Sequence, residues 1–208
     1  MKWVEGQMPR LFLAFLIILE TFTIGEIKMS LAIKVLQIED SSGENLIKNG
    51  NFETIIDNNA QYWSHYNNGY KALSGIGRNG SVGIVCKNEG DRGAYGIMQN
   101  ITLNQKTPTP IAIKGWSKAE NVSGGRDSNY SIYVDIIHQD ETPLWGQTAN
   151  FSTGTHDWEK KEFLIVPSKP IKSLTIYGLF RGHIGTAIFD DFELYEIGKG
   201  GYMLDSVP

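Results

Sequence analysis

The chain has 208 residues, with 19 Lys or Arg against 23 Asp or Glu and a formal net charge of −4 at pH 7. This length fits one domain of typical size with added terminal segments, and the acidic balance argues against a basic nucleic-acid-binding protein. Abundant glycine (23 residues), 11% aromatic residues and 20% charged residues are typical of a β-protein with many turns.

A short apolar segment lies near the start of the chain. Residues 11–19 read LFLAFLIIL and follow Lys2 and Arg10. A membrane span needs about 20 apolar residues, so this shorter run favours a secretory signal peptide. We expect residues 1–32 to form a signal peptide or, if uncleaved, a membrane anchor over residues 11–29; a buried N-terminal helix is the alternative. Residues 33–44 then form a polar linker, and the protein is expected to be secreted or extracellular.

The segment from residue 45 to 197 shows the period of two that is typical of β-strands. In residues 131–139, for example, Ile132, Val134 and Ile136 alternate with polar or aromatic residues. Turn-forming Gly, Asn, Asp and Pro separate such segments, and no amphipathic helix is predicted after residue 40. The expected fold class is all-β, an antiparallel β-sandwich, followed by a tail or linker at 198–208. The predicted strands are 45–53, 81–88, 94–103, 111–120, 131–139, 144–152, 159–167, 173–182 and 185–197.

Several patterns that suggest catalysis or cofactor binding have simpler explanations. Residues 75–80 match GxGxxG, but a strand-like segment follows in place of the helix that a nucleotide site needs, so we predict a turn. The single cysteine, Cys86, excludes an intrachain disulfide and is predicted to be a buried thiol. The four histidines lack metal-binding spacing, and the paired carboxylates are sequence neighbours. The domain itself is therefore predicted to be non-catalytic.

Two segments at the ends of the predicted sandwich carry a family resemblance. Residues 45–53 read NLIKNGNFE, with Trp63 shortly after, and residues 187–194 read AIFDDFEL. Together these resemble the ends of jelly-roll carbohydrate-binding modules, the cellulose-, xylan- and glucan-binding families of galactose-binding-domain-like shape that are appended to glycoside hydrolases. Residues 80–82, 99–103 and 114–119 resemble further motifs of these families in the same order. The resemblance covers residues 45–197 and implies a jelly-roll sandwich.

The resemblance also implies a structural calcium ion. In a jelly roll the first and last strands are neighbours, so Glu53 and Asp190 are expected to converge. Asp190 shares its parity with Phe192 and Leu194 and is expected to point inward, where a bare carboxylate is costly. Glu53 and Asp190 would supply side-chain ligands and the turn Asn79, Gly80 and Ser81 would supply carbonyls. The alternative is a surface Glu53 and an Asp190 bound by backbone amides.

Sugar binding needs apolar ring surface together with planar polar groups that bind hydroxyls. The non-core faces of several predicted strands offer this mixture. The candidate ligand-binding residues are Trp116, Tyr133, Asp135, Gln139, Trp145, Gln147, Tyr177 and Arg181.

These features lead to the expectation of a non-catalytic module that binds a polysaccharide or oligosaccharide and targets an attached glycoside hydrolase to its substrate. The module is expected to be monomeric within a longer chain, not to bind nucleic acid, and to contact a membrane only through its N-terminal segment. A structural or adhesive extracellular sandwich is one alternative. A divergent jelly-roll polysaccharide lyase is another.

Overall fold

The structure is a computed structural model that describes residues 44–90 and 93–197. The predicted signal peptide or anchor, nearly all of the linker and the C-terminal tail lie outside the described residues. Two antiparallel five-stranded sheets form a β-sandwich, accompanied by the short hairpin of β1 (Ile55–Ile56) and β2 (Asn59–Ala60). The predicted all-β sandwich is thus confirmed. Among the described residues, no helix is long and apolar enough to cross a membrane.

Sheet 1 and sheet 2 each contain strands from both halves of the domain. The strand order in sheet 1 is β10 (Gly154–Ile165), β7 (Ile111–Val122), β12 (Gly185–Glu196), β5 (Val82–Asn88) and β4 (Lys71–Ser74). The order in sheet 2 is β3 (Ser64–His65), β6 (Ala94–Thr102), β11 (Ile171–Arg181), β8 (Tyr130–His138) and β9 (Pro143–Asn150).

The inner faces of the two sheets bury one continuous apolar core. Tyr130 is fully buried and packs edge-to-face against Phe180 and Phe189, with ring centroids 5.7 and 6.0 Å away. Its hydroxyl lies 2.6 Å from Ser117 Oγ, so the polar end of the ring is satisfied inside the core. Cys86 is also fully buried, as predicted, and burial raises the pKa of its thiol.

The beginning and end of the sandwich are joined, as the jelly-roll resemblance implies. Leu46 N–H donates to Leu194 C=O at 2.9 Å, and Phe192 N–H donates to Gly50 C=O at 2.8 Å. The rings of Phe52 and Phe192 lie 5.9 Å apart. The predicted strand 45–53 is nevertheless a turn-containing segment with isolated pairings.

The local backbone explains why residues 45–53 do not form a regular strand. Asn49 and Phe52 have φ angles of 51° and 58°, in the left-handed region, which interrupts an extended ladder. The Asn49 side chain compensates by binding the backbone of Thr54 in both directions, at 2.9 and 3.0 Å. The segment is held by side-chain amides in place of a sheet ladder.

Candidate functional site

Strands β8 and β11 are neighbours in sheet 2 and carry two of the predicted aromatic residues. Tyr133 lies directly opposite Tyr177. The adjacent residues Val134 and Ile176 are fully buried, whereas the two tyrosines are half-buried. Because side chains alternate between the faces of a strand and paired residues share a face, both tyrosines lie on the outer face of sheet 2.

A third tyrosine extends this row across the sheet. The ring centroid of Tyr66, just after β3, lies 5.4 Å from that of Tyr177, which lies 5.7 Å from that of Tyr133. Both pairs are edge-to-face, with interplanar angles of 80° and 79°. We call this outer surface of sheet 2 the tyrosine face. Tyr66 was missed by sequence reasoning because it lies outside a regular strand, where alternation cannot predict which way a side chain points. Its backbone N–H donates to Gly96 C=O at 3.0 Å, which fixes the residue against β6.

Asp135 lies at one end of the tyrosine face, two residues from Tyr133 on the same side of β8. Its Oδ1 accepts a hydrogen bond from Gly146 N–H at 3.0 Å. Gly146 lies at an irregularity in the pairing of β8 and β9 and has a φ of 71°, a conformation that favours glycine. Burial, and then the charge of Asp135, raise the pKa of Tyr133. The Tyr133 hydroxyl therefore stays protonated at neutral pH.

Arg181 lies at the other end of the tyrosine face. It is the last residue of β11 and shares the outward parity of Tyr177. Its Nε donates to Asn129 Oδ1 at 2.8 Å. The tyrosine face therefore combines aromatic ring surface with a negative group, Asp135, and a positive group, Arg181, which is the mixture that orients a polar ligand over apolar contacts.

Trp116, a predicted ligand-binding residue, lies on the other sheet. It is on the outer side of sheet 1, opposite Lys160 of β10 and Asp190 of β12. The Arg78 guanidinium carbon lies 3.8 Å from its ring centroid and covers the ring surface that a sugar would need. The structure does not bring Trp116 to the tyrosine face, and this placement disfavours the predicted ligand contact.

Three other candidate ligand-binding residues lie beside the tyrosine face or away from it. Gln139 is exposed in the turn after β8, beyond the strand on which it was predicted. Gln147 lies opposite Val134, whose side chain faces the core, so it belongs to the other side of sheet 2. Trp145 is 59% exposed on the edge strand β9 and remains available at the rim of the tyrosine face.

The predicted calcium ligands converge on one turn. Asp190 is fully buried, and its Oδ2 accepts hydrogen bonds from Arg78 N–H at 2.7 Å and from the Ser81 hydroxyl at 2.8 Å. Glu53 Oε1 accepts a hydrogen bond from Val82 N–H at 2.8 Å. Both carboxylates therefore bind residues 78–82, the segment that contains the predicted carbonyl donors Asn79, Gly80 and Ser81.

Asp190 is buried for a different reason from the one expected. It lies opposite Trp116 on the outer side of sheet 1, and the turn at 78–81 covers it. The pairing of β12 is irregular at Asp191, which has a φ of 49°. Strict alternation would place Phe192 on the same side of the sheet as Asp190, but this irregularity turns Phe192 into the core. Burial raises the pKa of Asp190 to about 6, although hydrogen bonds from the turn lower it in part.

The donor set at this turn fits a calcium ion in chemical type. Carboxylate and carbonyl oxygens are the ligands that calcium prefers. Within the described residues, no three His, Cys, Asp or Glu side chains form a cluster that could hold a metal ion. A cation here would therefore depend on Glu53, Asp190 and backbone carbonyls together.

Sequence comparisons connect the chain with part of much longer proteins. No protein-family model matches it. The tRNA3(Ser)-specific nuclease WapA of Bacillus spizizenii is 28% identical over 164 residues, and the tRNA nuclease WapA of Bacillus subtilis strain 168 is 27% identical over 164 residues. The match covers 76% of this chain but only 7% of each relative.

Structure comparisons find carbohydrate-binding modules with the same architecture. The CBM22-1–CBM22-2 tandem domain of Paenibacillus barcinonensis Xyn10C has a TM-score of 0.57 at 13% identity, covering 80% of this chain and 49% of that chain. The family 16 carbohydrate-binding module-2 has a TM-score of 0.53 at 16% identity, covering 73% of this chain and 100% of that chain. At these identities the likeness shows the fold, a β-sandwich of the type found in carbohydrate-binding modules.

Proposed function

We propose that this domain binds carbohydrate without catalysing a reaction, through the tyrosine face. One observation carries the proposal: Tyr66, Tyr177 and Tyr133 form a continuous row of half-buried rings across the outer face of sheet 2. Asp135 and Arg181 lie on opposite sides of this row, further along the strands. Aromatic rings pack against the C–H faces of sugar rings, and charged planar groups bind hydroxyls. The shared fold of carbohydrate-binding modules supports the proposal. In a longer chain, such a module would hold an attached polysaccharide-active enzyme near its substrate.

Two observations favour binding over catalysis at this face. A tyrosine that acts as a general base needs a pKa near the working pH, whereas burial raises the pKa of both Tyr133 and Tyr177. Binding of RNA depends on Lys and Arg contacts with phosphates. Arg181 is the only Lys or Arg at the outward positions of β6, β8, β9 and β11, all of which are described. The tyrosine face is therefore not proposed as an RNA-binding or nuclease site.

A glycan array followed by affinity electrophoresis tests the proposal. We expect the domain to bind at least one class of glycan and Tyr177→Ala to weaken that binding about tenfold or more, equivalent to about 1.4 kcal/mol or more. Tyr177→Phe should keep most of the affinity because the ring remains.

Tyr195→Ala is the matched control for the Tyr177 variants. Tyr195 is a half-buried tyrosine on the outer side of sheet 1, so its loss should leave glycan binding unchanged. Equal weakening by Tyr195→Ala and Tyr177→Ala, with both variants folded, would contradict a site on the tyrosine face. Absence of binding to every glycan would favour the structural or adhesive alternative.

We further propose that calcium joins the start and end of the sandwich at the 78–82 turn. Glu53 and Asp190 would hold the ion with carbonyls from Asn79, Gly80 or Ser81. The support is geometric: two carboxylates distant in sequence bind the same short segment, and one of them is fully buried. Calcium would balance the charge of a carboxylate that is costly to bury.

A further inference from the structure

Arg181 is a cation whose hydrogen-bonding partner on the tyrosine face is a neutral amide. Its Nε donates to Asn129 Oδ1 at 2.8 Å, and no carboxylate among the described residues forms an ion pair with it. Arg78, by contrast, forms an ion pair with Asp191. A guanidinium has five N–H donors, so the terminal nitrogens of Arg181 remain for a ligand.

A network of hydrogen bonds fixes the amide that holds Arg181. The backbone N–H and side-chain Nδ2 of Asn129 donate to Asp127 at 2.7 and 3.1 Å. Asp127 also lies 3.0 Å from Nε2 of His183, which is 5% exposed and whose Nδ1 lies 2.6 Å from Ser123 O. Asp127 is thus occupied by Asn129 and His183, and the Asn129 oxygen is held toward Arg181. A guanidinium fixed in this way loses less side-chain entropy on binding a ligand.

The other end of the tyrosine face carries a negative charge, on Asp135, whose carboxylate has hydrogen-bond donors within the protein. Asp135 already accepts the Gly146 N–H and lies beside the Tyr133 hydroxyl. A negatively charged ligand group would be repelled by Asp135 and attracted by Arg181. The face is therefore polarised, with a carboxylate at one end and a guanidinium at the other, and a ligand anion is favoured only at the Arg181 end.

We propose that Arg181 makes the tyrosine face selective for sugars that carry an oxyanion, either a carboxylate or a phosphate, bound at the Arg181 end. The planar guanidinium can bind two oxygens of either group side by side, which a neutral hydroxyl cannot match in charge or geometry. This inference rests on the proposed carbohydrate-binding function and adds the class of ligand.

Matched pairs of charged and neutral oligosaccharides test this selectivity by isothermal titration calorimetry. The probes are trigalacturonate, triglucuronate and trimannuronate with their methyl esters, and a phosphorylated oligomannoside with its unphosphorylated form. We expect the wild-type domain to bind the charged member of at least one pair about tenfold more tightly. The uronate and phosphate pairs distinguish the two oxyanion sources. The preference should decrease as salt concentration rises, because salt screens a partly exposed charge pair.

Three variants separate the outcomes. Arg181→Gln should abolish the preference for the charged member while the neutral member still binds, and Arg181→Lys should keep part of the preference. Lys71→Gln removes an equal charge from exposed β4 of sheet 1 and should leave the preference intact. The inference would be overturned if the wild type bound both members of every pair equally, or if folded Arg181→Gln kept the preference for the charged member. Either result would leave carbohydrate binding in place. Failure of the wild type to bind any saccharide would overturn the proposed function, and this inference with it.

Discussion

Trp116 illustrates how a side chain's neighbours determine what it can bind. Its position between Lys114 and Lys118 predicts an outward-facing ring, and the ring does lie on the outer side of sheet 1. The sequence does not show that the turn before β5 brings the Arg78 guanidinium onto the ring, where it also pairs with Asp191. A sugar and a guanidinium would compete for the same ring surface. Trp116 is therefore better explained as the support on which the 78–81 turn rests.

Replacement of Trp116 by alanine should lower stability and leave glycan binding unchanged. The stacked guanidinium and the packing beneath it would be lost, at a cost of about 1–2 kcal/mol, or roughly 2–8 °C in melting temperature for a domain of this size. Thermal melting and affinity electrophoresis on the same samples measure the two effects.

Trp145→Ala is the matched control for Trp116→Ala. Trp145 is 59% exposed on β9, so its removal should change the melting temperature very little. If Trp116→Ala weakened glycan retention with no change in melting temperature, Trp116 would be a ligand contact and the structural explanation would be wrong.

Among the secondary-structure elements, the segment 45–52 is distinctive because side-chain amides attach it to both sheets. Asn45 Oδ1 accepts hydrogen bonds from Ile47 N–H and from Leu194 N–H of β12, each at 3.0 Å. Gln99 of β6, only 6% exposed, accepts from Lys48 N–H and donates to Lys48 C=O, both at 2.9 Å. The residues that carry the family resemblance at the start of the domain therefore close the fold.

Replacement of Gln99 by alanine should destabilise the domain by about 2–3 kcal/mol. The change removes both hydrogen bonds that hold the Lys48 backbone to β6 and leaves a cavity where the buried Gln99 side chain packs. Urea unfolding measures the change in free energy. Asn100→Ala is the matched control on the same strand: Asn100 is exposed and bonds Thr175 Oγ1, so its loss should cost about 0.5 kcal/mol or less. Equal costs for the two variants would show that the amide clamp contributes little.

The long strands were predictable because their alternation extends over many residues; the predicted strand 131–139, for example, corresponds to β8 at Tyr130–His138. Strands β1 to β4 were not predicted, since two to four residues carry no readable period. The irregularity at Asp191 was also missed. A single residue with a left-handed backbone changes which face the following side chains point to, without changing the residue composition of the strand. Tyr133 and Tyr177 could be identified by parity, whereas Tyr66 depends on tertiary pairing that no local pattern records.

At the scale of the whole molecule, closure depends on contacts between residues about 140 positions apart in sequence, which are costly in chain entropy to bring together. Glu53 comes from the first segment, Asp190 from the last strand, and both bind the 78–82 turn. An ion shared by them would couple three distant parts of the chain. Its loss should therefore affect cooperative unfolding of the entire sandwich and not only a local loop.

Chelation of calcium with EDTA should lower the melting temperature of the domain. At a calcium concentration about 100 times the dissociation constant, binding would stabilise the folded state by about 2.7 kcal/mol, which corresponds to roughly 5–10 °C. Differential scanning calorimetry measures the shift, and added calcium in excess of EDTA should reverse it. Asp190→Asn and Glu53→Gln should each reduce the response to EDTA, whereas Asp140→Asn, at an exposed carboxylate that pairs with Lys169, should preserve it. Calcium at this turn would be excluded by an unchanged melting temperature of the wild type in EDTA, or by an undiminished response in folded Asp190→Asn. The buried carboxylate would then be compensated by hydrogen bonds from Arg78 N–H, the Ser81 hydroxyl and Asp191 N–H, at 2.7, 2.8 and 2.7 Å.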